Sequence, residues 1–471
     1  MQGRTYIKDL KDKIGKEIVV AGWVDVRRDQ GKMVFFDMRD MSGKVQCVTL
    51  PARADVIEVA KQIRPEWVLK ITGIVNKRPE KNVNPNVLNG DIELEITSIE
   101  ILNKAETPQI DISGDGREIG EEHRLQYRYL DLRRERMQKN VRNRHKVVKL
   151  IRDYLSKEGF IEVETPILTK STPEGARDYV VPSRLWPGTF YALPQAPQQY
   201  KQLLMAAGVE KYFQMAKCMR DEDTRGDRQP EFTQLDLEVS FVEREDVMAI
   251  NEALLIEIVK NLYPEKKIQE IPFPRLSYEE AMKKYKSDRP DLRKDKNDPN
   301  LLAFEWIVDF PFFEKASKSD NKVTEGDWTF THNPFSRPKD KHMEDLMKKK
   351  NIGEILTSQY DVILNGNEIG GGSIRNHEPE ALRKVFEILG YAPDRIEKNF
   401  SHMLHALASG CPPHGGIAWG FDRLMMILEN EPSIREVIAF PKTGEGKDLM
   451  MNAPSEIYEK QLKELGIKLG K

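Results

Sequence analysis

Residues 219–234 read Met-Arg-Asp-Glu-Asp-Thr-Arg-Gly-Asp-Arg-Gln-Pro-Glu-Phe-Thr-Gln, which is more fixed charge than a structural turn needs. Arg220, Arg225 and Arg228 are interleaved with Asp221, Glu222, Asp223, Asp227 and Glu231. Guanidinium forks bind phosphate oxygens through paired hydrogen bonds, so the stretch suits a phosphate grip. A salt-bridged, solvated loop would carry the same residues, and the loop alone leaves both readings open. Apolar runs at 211–219 and 235–242 flank it, the signature of an antiparallel hairpin. No other phosphate cradle is legible. No Gly-x-Gly-x-x-Gly follows a strand, and Gly444-Glu-Gly-Lys447 lacks the upstream Gly and following Ser/Thr of a Walker loop. A nucleotide would therefore have to be held by side chains on a sheet.

The elements that would position such a site fall into two blocks. Runs rich in Val, Ile and aromatics at 17–27, 33–39, 44–50, 67–76 and 91–101 are separated by turn signals such as Ser42-Gly43, with a helical stretch at 52–63. Five short strands with one helix outline an OB-fold barrel over residues 1–104, an architecture that binds single-stranded nucleic acid. Residues 105–131 mix Pro, Ser, Gly and charge with little periodicity and read as a linker. From residue 132 the pattern turns helical, with Val147, Val148, Ile151 and Leu155 on one face. Strand-like runs at 190–194, 211–219, 233–242, 305–311, 359–368 and 416–419 then alternate with helices at 197–207, 243–261, 378–389, 393–408 and 422–429. Grouped strands with hairpin connections predict an α+β fold, an antiparallel sheet flanked by helices.

The charged hairpin resembles motif 2 of the class II aminoacyl-tRNA synthetases. Residues 416–423, Gly-Ile-Ala-Trp-Gly-Phe-Asp-Arg, resemble motif 3, and Glu164-Thr-Pro166 the end of motif 1. These place motif 1 at about 145–170, motif 2 at about 211–242 and motif 3 at about 414–429. Between them, Thr172-Pro-Glu-Gly-Ala-Arg-Asp-Tyr179, Gln198-Gln-Tyr-Lys201 and Glu368-Ile-Gly-Gly-Gly-Ser-Ile-Arg375 are similar to the bacterial aspartyl enzymes. The resemblance covers nearly the whole chain. One departure is that Ser287-Asp-Arg-Pro-Asp-Leu-Arg293 runs into Leu301 with only a short linker, near 293–301, where that family carries an inserted domain.

The resemblance implies an ATP-dependent ligase that forms aspartyl-adenylate and esterifies tRNA-Asp, with tRNA-Asn left open as a second acceptor. It assigns Glu174, Gln198, Lys201, Arg220, His332 and Arg375 to L-aspartate. ATP falls to Arg220, Asp221, Glu222, Gln229, Glu368, Gly420, Phe421, Asp422 and Arg423, of which Arg220, Glu222 and Arg423 are the catalytic set. Asp361 and Glu368 fall to Mg²⁺, whose taste for hard oxygen ligands they suit. The anticodon falls to Arg27, Arg28, Phe35, Gln46, Arg78 and Glu93. Thr169–Tyr179, polar with Pro and Gly, would act as a lid. His332 is followed by Asn333 where the family often has a second His, so a histidine pair has no support.

Composition sets the outer limits. At 471 residues with 39% hydrophobic and 32% charged, the chain has room for two or three folded domains. It contains no apolar run long enough for a membrane span, and its N-terminus lacks a signal-peptide core, so a cytoplasmic protein without membrane contact is expected. Cys47, Cys218 and Cys411 show neither metal nor disulfide spacing. Net charge is −2, so nucleic acid must be met by local basic patches. An asparaginyl or lysyl synthetase of the same subclass and a non-catalytic nucleic-acid-binding paralogue are the competing readings. Lys201 with Arg375 speaks against amide and cationic substrates, and the occupied ATP positions speak against the paralogue. Motif 1 together with the Val147–Leu155 stripe predicts a homodimer.

Overall fold

The structure is a computed structural model that describes residues 3–85, 87–172, 175–316 and 326–470. The chain divides into two compact units, Met1–Asp111 and Ile112–Lys471.

In the first unit five strands close a barrel. Around it run Glu17–Gln30, Met33–Asp40, Gly43–Thr49, Ile92–Asn103 and Val68–Lys77. The Met33–Asp40 strand alternates strictly between half-buried and buried positions. Val34, Phe36 and Met38 therefore join Val20, Leu69, Ile71 and Leu94 in the core, while Phe35, Asp37 and Arg39 face outward. Helix Ala54–Gln62 covers the barrel through Val56 and Ala60.

The second unit is built on an eight-stranded sheet. Its order is Arg275–Ser277, Phe304–Val308, Gln359–Leu364, Asn367–Ile374, His414–Gly420, Glu231–Ser240, Lys211–Met219 and Ile161–Glu162. The inner pairs are antiparallel, as expected, but the outermost pair at each end is parallel. Parallel neighbours need a crossover, and at each end one is present: helix Tyr278–Tyr285 on one side, helix Gln198–Ala206 on the other.

The two faces of this sheet differ sharply. On the Glu231–Ser240 strand, Leu235, Leu237 and Val239 point into the main core with Phe213, Trp306 and Ile417. Helices Glu135–Lys157 and Arg244–Leu262 cover that side with Val147, Ile151, Leu155, Leu254 and Ile258. Asp236 and Glu238 alternate with those apolar residues and so lie on the opposite face, fully buried.

Three expectations change here. The Val147–Ile151–Leu155 stripe is fully buried in the chain's own core, so it is not an open surface awaiting a partner. The run 359–368 is a hairpin, not one strand, because Asn365 and Gly366 both take positive φ (51° and 78°), the geometry of a two-residue turn. The segment read as a linker also contains helices Glu121–Gln126 and Arg128–Asp131. Arg124 and Arg128 from it, with Arg134 just beyond it, converge on buried Asp131, and Arg124 also pairs with Glu436 at 2.7 Å.

Candidate functional site

Four charged side chains meet on the polar face of the sheet. Lys201, from helix Gln198–Ala206, places Nζ 2.7 Å from Asp236 Oδ1 and 3.2 Å from Glu238 Oε2. Arg375, just past strand Asn367–Ile374, donates Nε and Nη2 to the two oxygens of Glu238 at 2.8 and 3.1 Å. Its Nη1 donates to Ser373 Oγ at 2.8 Å, and Ser373 meets Ser336 at 3.0 Å. All four charged groups are buried. Burial alone would raise the Glu238 pKa, but Arg375 and Lys201 outweigh it and hold it at about 2. Burial raises the pKa of Asp236, which Lys201 offsets only in part.

The donor count says what this cluster can receive. A guanidinium has five N–H groups and an ammonium three. After the bonds above, Arg375 keeps one N–H on each terminal nitrogen and Lys201 keeps one. Asp236 Oδ2 is buried and has no hydrogen-bond partner. The residual pattern is therefore three cationic donors and one carboxylate acceptor, the complement of a carboxylate and an ammonium held on one small molecule. Gln198, also buried, adds an unpartnered Nε2 from the start of the same helix. Asp236 and Glu238 were not singled out from sequence. The signal was available: two acids alternating with Leu235, Leu237 and Val239.

Beside this cluster lies a second polar cavity of ≈190 Å³. Arg220, Glu222, Gln229, Glu368, Gly420, Asp422 and Arg423 all line it. The Arg220 guanidinium sits 5.1 Å over the Phe232 ring and donates to the Gln195 carbonyl at 3.3 Å. Arg423 is fixed by Asp227 Oδ2 at 3.1 Å and by the Glu368 carbonyl. Glu222 lies 3.7 Å from Arg228, and Gln229 accepts from the Lys442 N–H at 2.7 Å. Asp422 spends both oxygens internally, on the Thr233 N–H at 2.8 Å and Arg144 at 2.5 Å, so it braces the wall.

Two expected nucleotide contacts fall elsewhere. Phe421 is a fully buried core residue under Arg144, whose guanidinium lies 4.7 Å from the ring. As first residue of helix Phe421–Leu428, its side chain points to the apolar side of the sheet. Asp221 does not line the cavity. It bridges to Arg177 at 3.6 Å and ties the 169–179 segment to the charged loop. Glu174 lies outside the described residues.

Asp361 and Glu368 sit on paired strands and flank Gly371. A Cβ at Gly371 would fall 2.8 Å from Asp361 Oδ1 and 3.6 Å from Glu368 Oε1, so only glycine leaves this space open. Burial and then the Asp361 charge raise the Glu368 pKa, the condition a divalent cation between them would relieve. Among the described residues no third acid, His or Cys completes a cage. Two carboxylates open to phosphate oxygens and water fit Mg²⁺. His332 joins this end of the site: Nε2 is 3.4 Å from Asp361 Oδ2 and its ring stands edge-on to Phe310 at 4.7 Å. Burial lowers its pKa, but Asp361 more than compensates and the net shift is upward.

In the barrel, register puts Arg28, Phe35 and Gln46 on one outer face, while Arg27 pairs with the core residue Phe36 and lies on the other. Phe35 pairs with Arg28, and Gln46 with Asp37. Gln46 Nε2 donates to Glu93 at 3.3 Å, Arg78 lies 4.0 Å from Glu93, and Arg28 bonds both oxygens of Asp37 at 3.1 Å. Arg27 is held by Asp29 at 2.7 Å. A half-buried aromatic ring ringed by fork donors and acid acceptors is a platform for one base with its edges exposed to readout.

The profile of class II tRNA synthetases (D, K and N) matches residues 120–444, and that of the OB-fold nucleic acid binding domain matches residues 18–102. The aspartate--tRNA(Asp/Asn) ligase of Thermoanaerobacter sp. (strain X514) is 40% identical over 97% of this chain and 96% of its own length. The chain belongs to the aspartate--tRNA ligases of the class II synthetase family. The aspartate--tRNA ligase of Staphylococcus aureus (strain NCTC 8325 / PS 47) is 37% identical over 97% of both chains. The Thermoanaerobacter alignment spans 586 positions against 471 residues here, so at least 115 of them have no counterpart in this synthetase. Among solved structures, asparaginyl-tRNA synthetase from Pyrococcus horikoshii complexed with asparaginyl-adenylate superposes with a TM-score of 0.76. It covers 94% of this chain and 99% of its own at 22% identity, and so speaks to the fold. The aspartyl tRNA synthetase from Entamoeba histolytica superposes at 0.71, with 22% identity over 93% and 91%. Members of this class use ATP. Among the described residues no helix is long and apolar enough to cross a membrane.

Proposed function

We propose that this synthetase activates L-aspartate with ATP and transfers it to the 3′ end of tRNA-Asp, and that tRNA-Asn is a second acceptor. The observation that carries the reading is the buried Lys201–Asp236–Glu238–Arg375 cluster with its three spare donors and one spare acceptor. Arg375 and Lys201 take the substrate's side-chain carboxylate. Asp236, with Glu174 and Gln198, takes the α-amino and α-carboxylate ends. The α-carboxylate then attacks the α-phosphorus of ATP, and pyrophosphate leaves. Arg220 steadies charge gathering on the α-phosphate and Arg423 that on the outer phosphates, fixed donors whose orientation is set before reaction. Glu222 and Gln229 orient the nucleotide. Asp361 and Glu368 hold Mg²⁺, which supplies charge neutralisation to the phosphates. In the second half-reaction a terminal ribose hydroxyl of tRNA attacks the activated carbonyl, and AMP leaves.

The barrel reads the anticodon through Phe35, Gln46, Glu93, Arg27, Arg28 and Arg78, and the catalytic part begins at Ile112, because 121–131 is held by buried ion pairs within that unit. Assembly is a homodimer in the cytoplasm, a compartment consistent with three buried, unbridged cysteines. The interface we assign to exposed apolar residues near motif 1: Ile161, Ile167, Leu168, Val180, Trp186 and Phe190. Thr169 bridges to Ala192, which pairs with Val180, so 167–169 and the hairpin lie side by side. The test is aspartate-dependent ATP–pyrophosphate exchange, followed by aspartate acceptance on purified tRNA-Asp and tRNA-Asn side by side. Exchange with aspartate and charging of both tRNAs is expected. Exchange driven by asparagine or lysine instead would overturn the pocket assignment.

A further inference from the structure

Another cavity, of ≈260 Å³, opens at the root of the Thr169–Tyr179 segment and belongs to none of the assignments above. Its polar lining comes from Thr169, Lys170, Thr172, Gln199, Tyr200 and His402. Pro194 and Leu203 give it apolar wall. It is built, not incidental. Gln199 is 7% exposed, accepts the His402 Nε2–H through Oε1 at 2.6 Å, and leaves its Nε2 buried without a partner. Lys170 is anchored to the Asn399 carbonyl at 2.8 Å, which occupies one ammonium N–H and leaves two. Thr169 Oγ1 and Tyr200 OH meet at 3.0 Å, which leaves a lone pair or proton of that pair directed elsewhere. Among the described residues no carboxylate lines the cavity. Lys170 and His402 are electrostatic neighbours, and each is shifted downward, chiefly by burial, so positive charge here lacks an acid to balance it.

A pocket of donors with an unbalanced cation selects an acceptor-rich anion. Its place decides which. Gln199 follows Gln198 on the helix that also carries Lys201, so the cavity adjoins the aspartate site through one helix. The anionic partner that must reach that neighbourhood is the single-stranded 3′ end of tRNA. We propose that Lys170 and Gln199, the latter held in place by His402, bind a backbone phosphate of the tRNA acceptor strand, seating the terminal ribose at the aspartate site, with Tyr200 and Leu203 against the sugar. This rests on the reading given under Proposed function.

The experiment uses the full-length enzyme with Lys170→Ala, Gln199→Leu and His402→Ala. Aspartate-dependent pyrophosphate exchange, which needs no tRNA, is expected to stay within about twofold of wild type. KM for tRNA-Asp should rise about tenfold for Lys170→Ala, and the slope of log K against log salt should fall by about one. An acceptor-stem minihelix ending in CCA should lose affinity in the variants to the same degree. A minihelix lacking the last two nucleotides should bind wild type and variants alike. Unchanged tRNA KM and unchanged minihelix affinity in Lys170→Ala and Gln199→Leu would overturn the proposal. So would loss of AMP or inorganic phosphate binding with tRNA KM intact, because the site would then hold a free anion. Absence of exchange in the wild type is a separate result, directed at the aspartate reading, and minihelix binding would still report on this pocket.

Discussion

Replacing Arg375 by Leu should abolish aspartate activation, but the structure shows that the loss has two sources that must be separated. Arg375 is 2% exposed and holds both oxygens of fully buried Glu238. Removing it leaves Glu238 with only Lys201, at 3.2 Å. Breaking a buried pair this way costs ~3–5 kcal/mol of folding stability, because a desolvated charge is stranded. The substrate loses two of three cationic donors, worth ~2–5 kcal/mol, or about 30-fold to about 4,000-fold in kcat/KM for aspartate. The informative comparison is Arg375→Leu against the double variant Arg375→Leu, Glu238→Leu. The second change removes the stranded acid, so thermal stability should recover in part, since pairs in contact are not additive. Exchange activity should not recover, because the donors stay missing. Exchange kinetics and melting temperature, measured on the same preparations, decide it. A double variant whose activity returns with its stability would refute the reasoning and leave Arg375 a structural residue.

Glu368→Gln should reduce exchange at least 100-fold and raise the magnesium concentration needed for half-activity, while melting temperature stays level or rises, because the substitution removes repulsion from Asp361. Glu436 titrates in the opposite sense: burial pushes it up, but hydrogen bonds and charge from Arg124, Arg136 and Arg128 hold it at about 2. That is below an ordinary glutamate near 4.3, so the pairing contributes about 3 kcal/mol that is present above pH ~4.3 and lost as pH falls toward 2. Glu436→Gln should therefore cost about that much at pH 7 and flatten the fall in stability between about pH 4.3 and about pH 2 in denaturant titrations. Phe35→Ala with Gln46→Ala should raise KM for tRNA by about 5- to 100-fold, from ~1–3 kcal/mol of lost stacking, and leave exchange intact. Light scattering should give a mass near twice 54.4 kDa, and Ile161→Glu with Leu168→Glu should yield monomer; a fully active wild-type monomer would contradict the interface.

Much of the barrel and sheet was legible because a period of two survives in single strands: Val34, Phe36 and Met38 inward, Phe35 and Asp37 outward. The charged loop was legible because its charge density exceeds what a turn requires. Three things were missed for physical reasons. Leu364-Asn-Gly-Asn367 is a strong turn signal, yet the apolar runs on both sides merged into one apparent strand over 359–368, whereas Asp361 and Glu368 stand on two paired strands around Gly371. The Val147–Leu155 stripe has the period of any buried helix, and periodicity does not say whose surface buries it. Phe421 sits inside a recognised motif, but motif membership does not fix side-chain direction, and helix geometry turns it into the core.

Asp236 and Glu238 carry the deeper lesson about selectivity. Two cations converging on an anionic substrate look, from sequence, like a positively charged hole. In the fold each cation already has a carboxylate partner, so the empty pocket is close to neutral. Its preference then cannot come from excess charge. On the proposed assignment it comes from the hydrogen bonds left over: the spare N–H groups of Arg375 and Lys201, whose partners Glu238, Asp236 and Ser373 hold them in place, match a carboxylate and would be opposed by an amide NH₂. Such donors reject an amide by leaving buried polar groups unmatched, a larger penalty than a lost attraction. The same alternation of the Glu231–Ser240 strand that sends Leu235, Leu237 and Val239 into the core delivers both acids to this site. A one-residue slip in register would bury the acids among Trp306 and Ile417 and expose the leucines, so the core locks the specificity pocket in place.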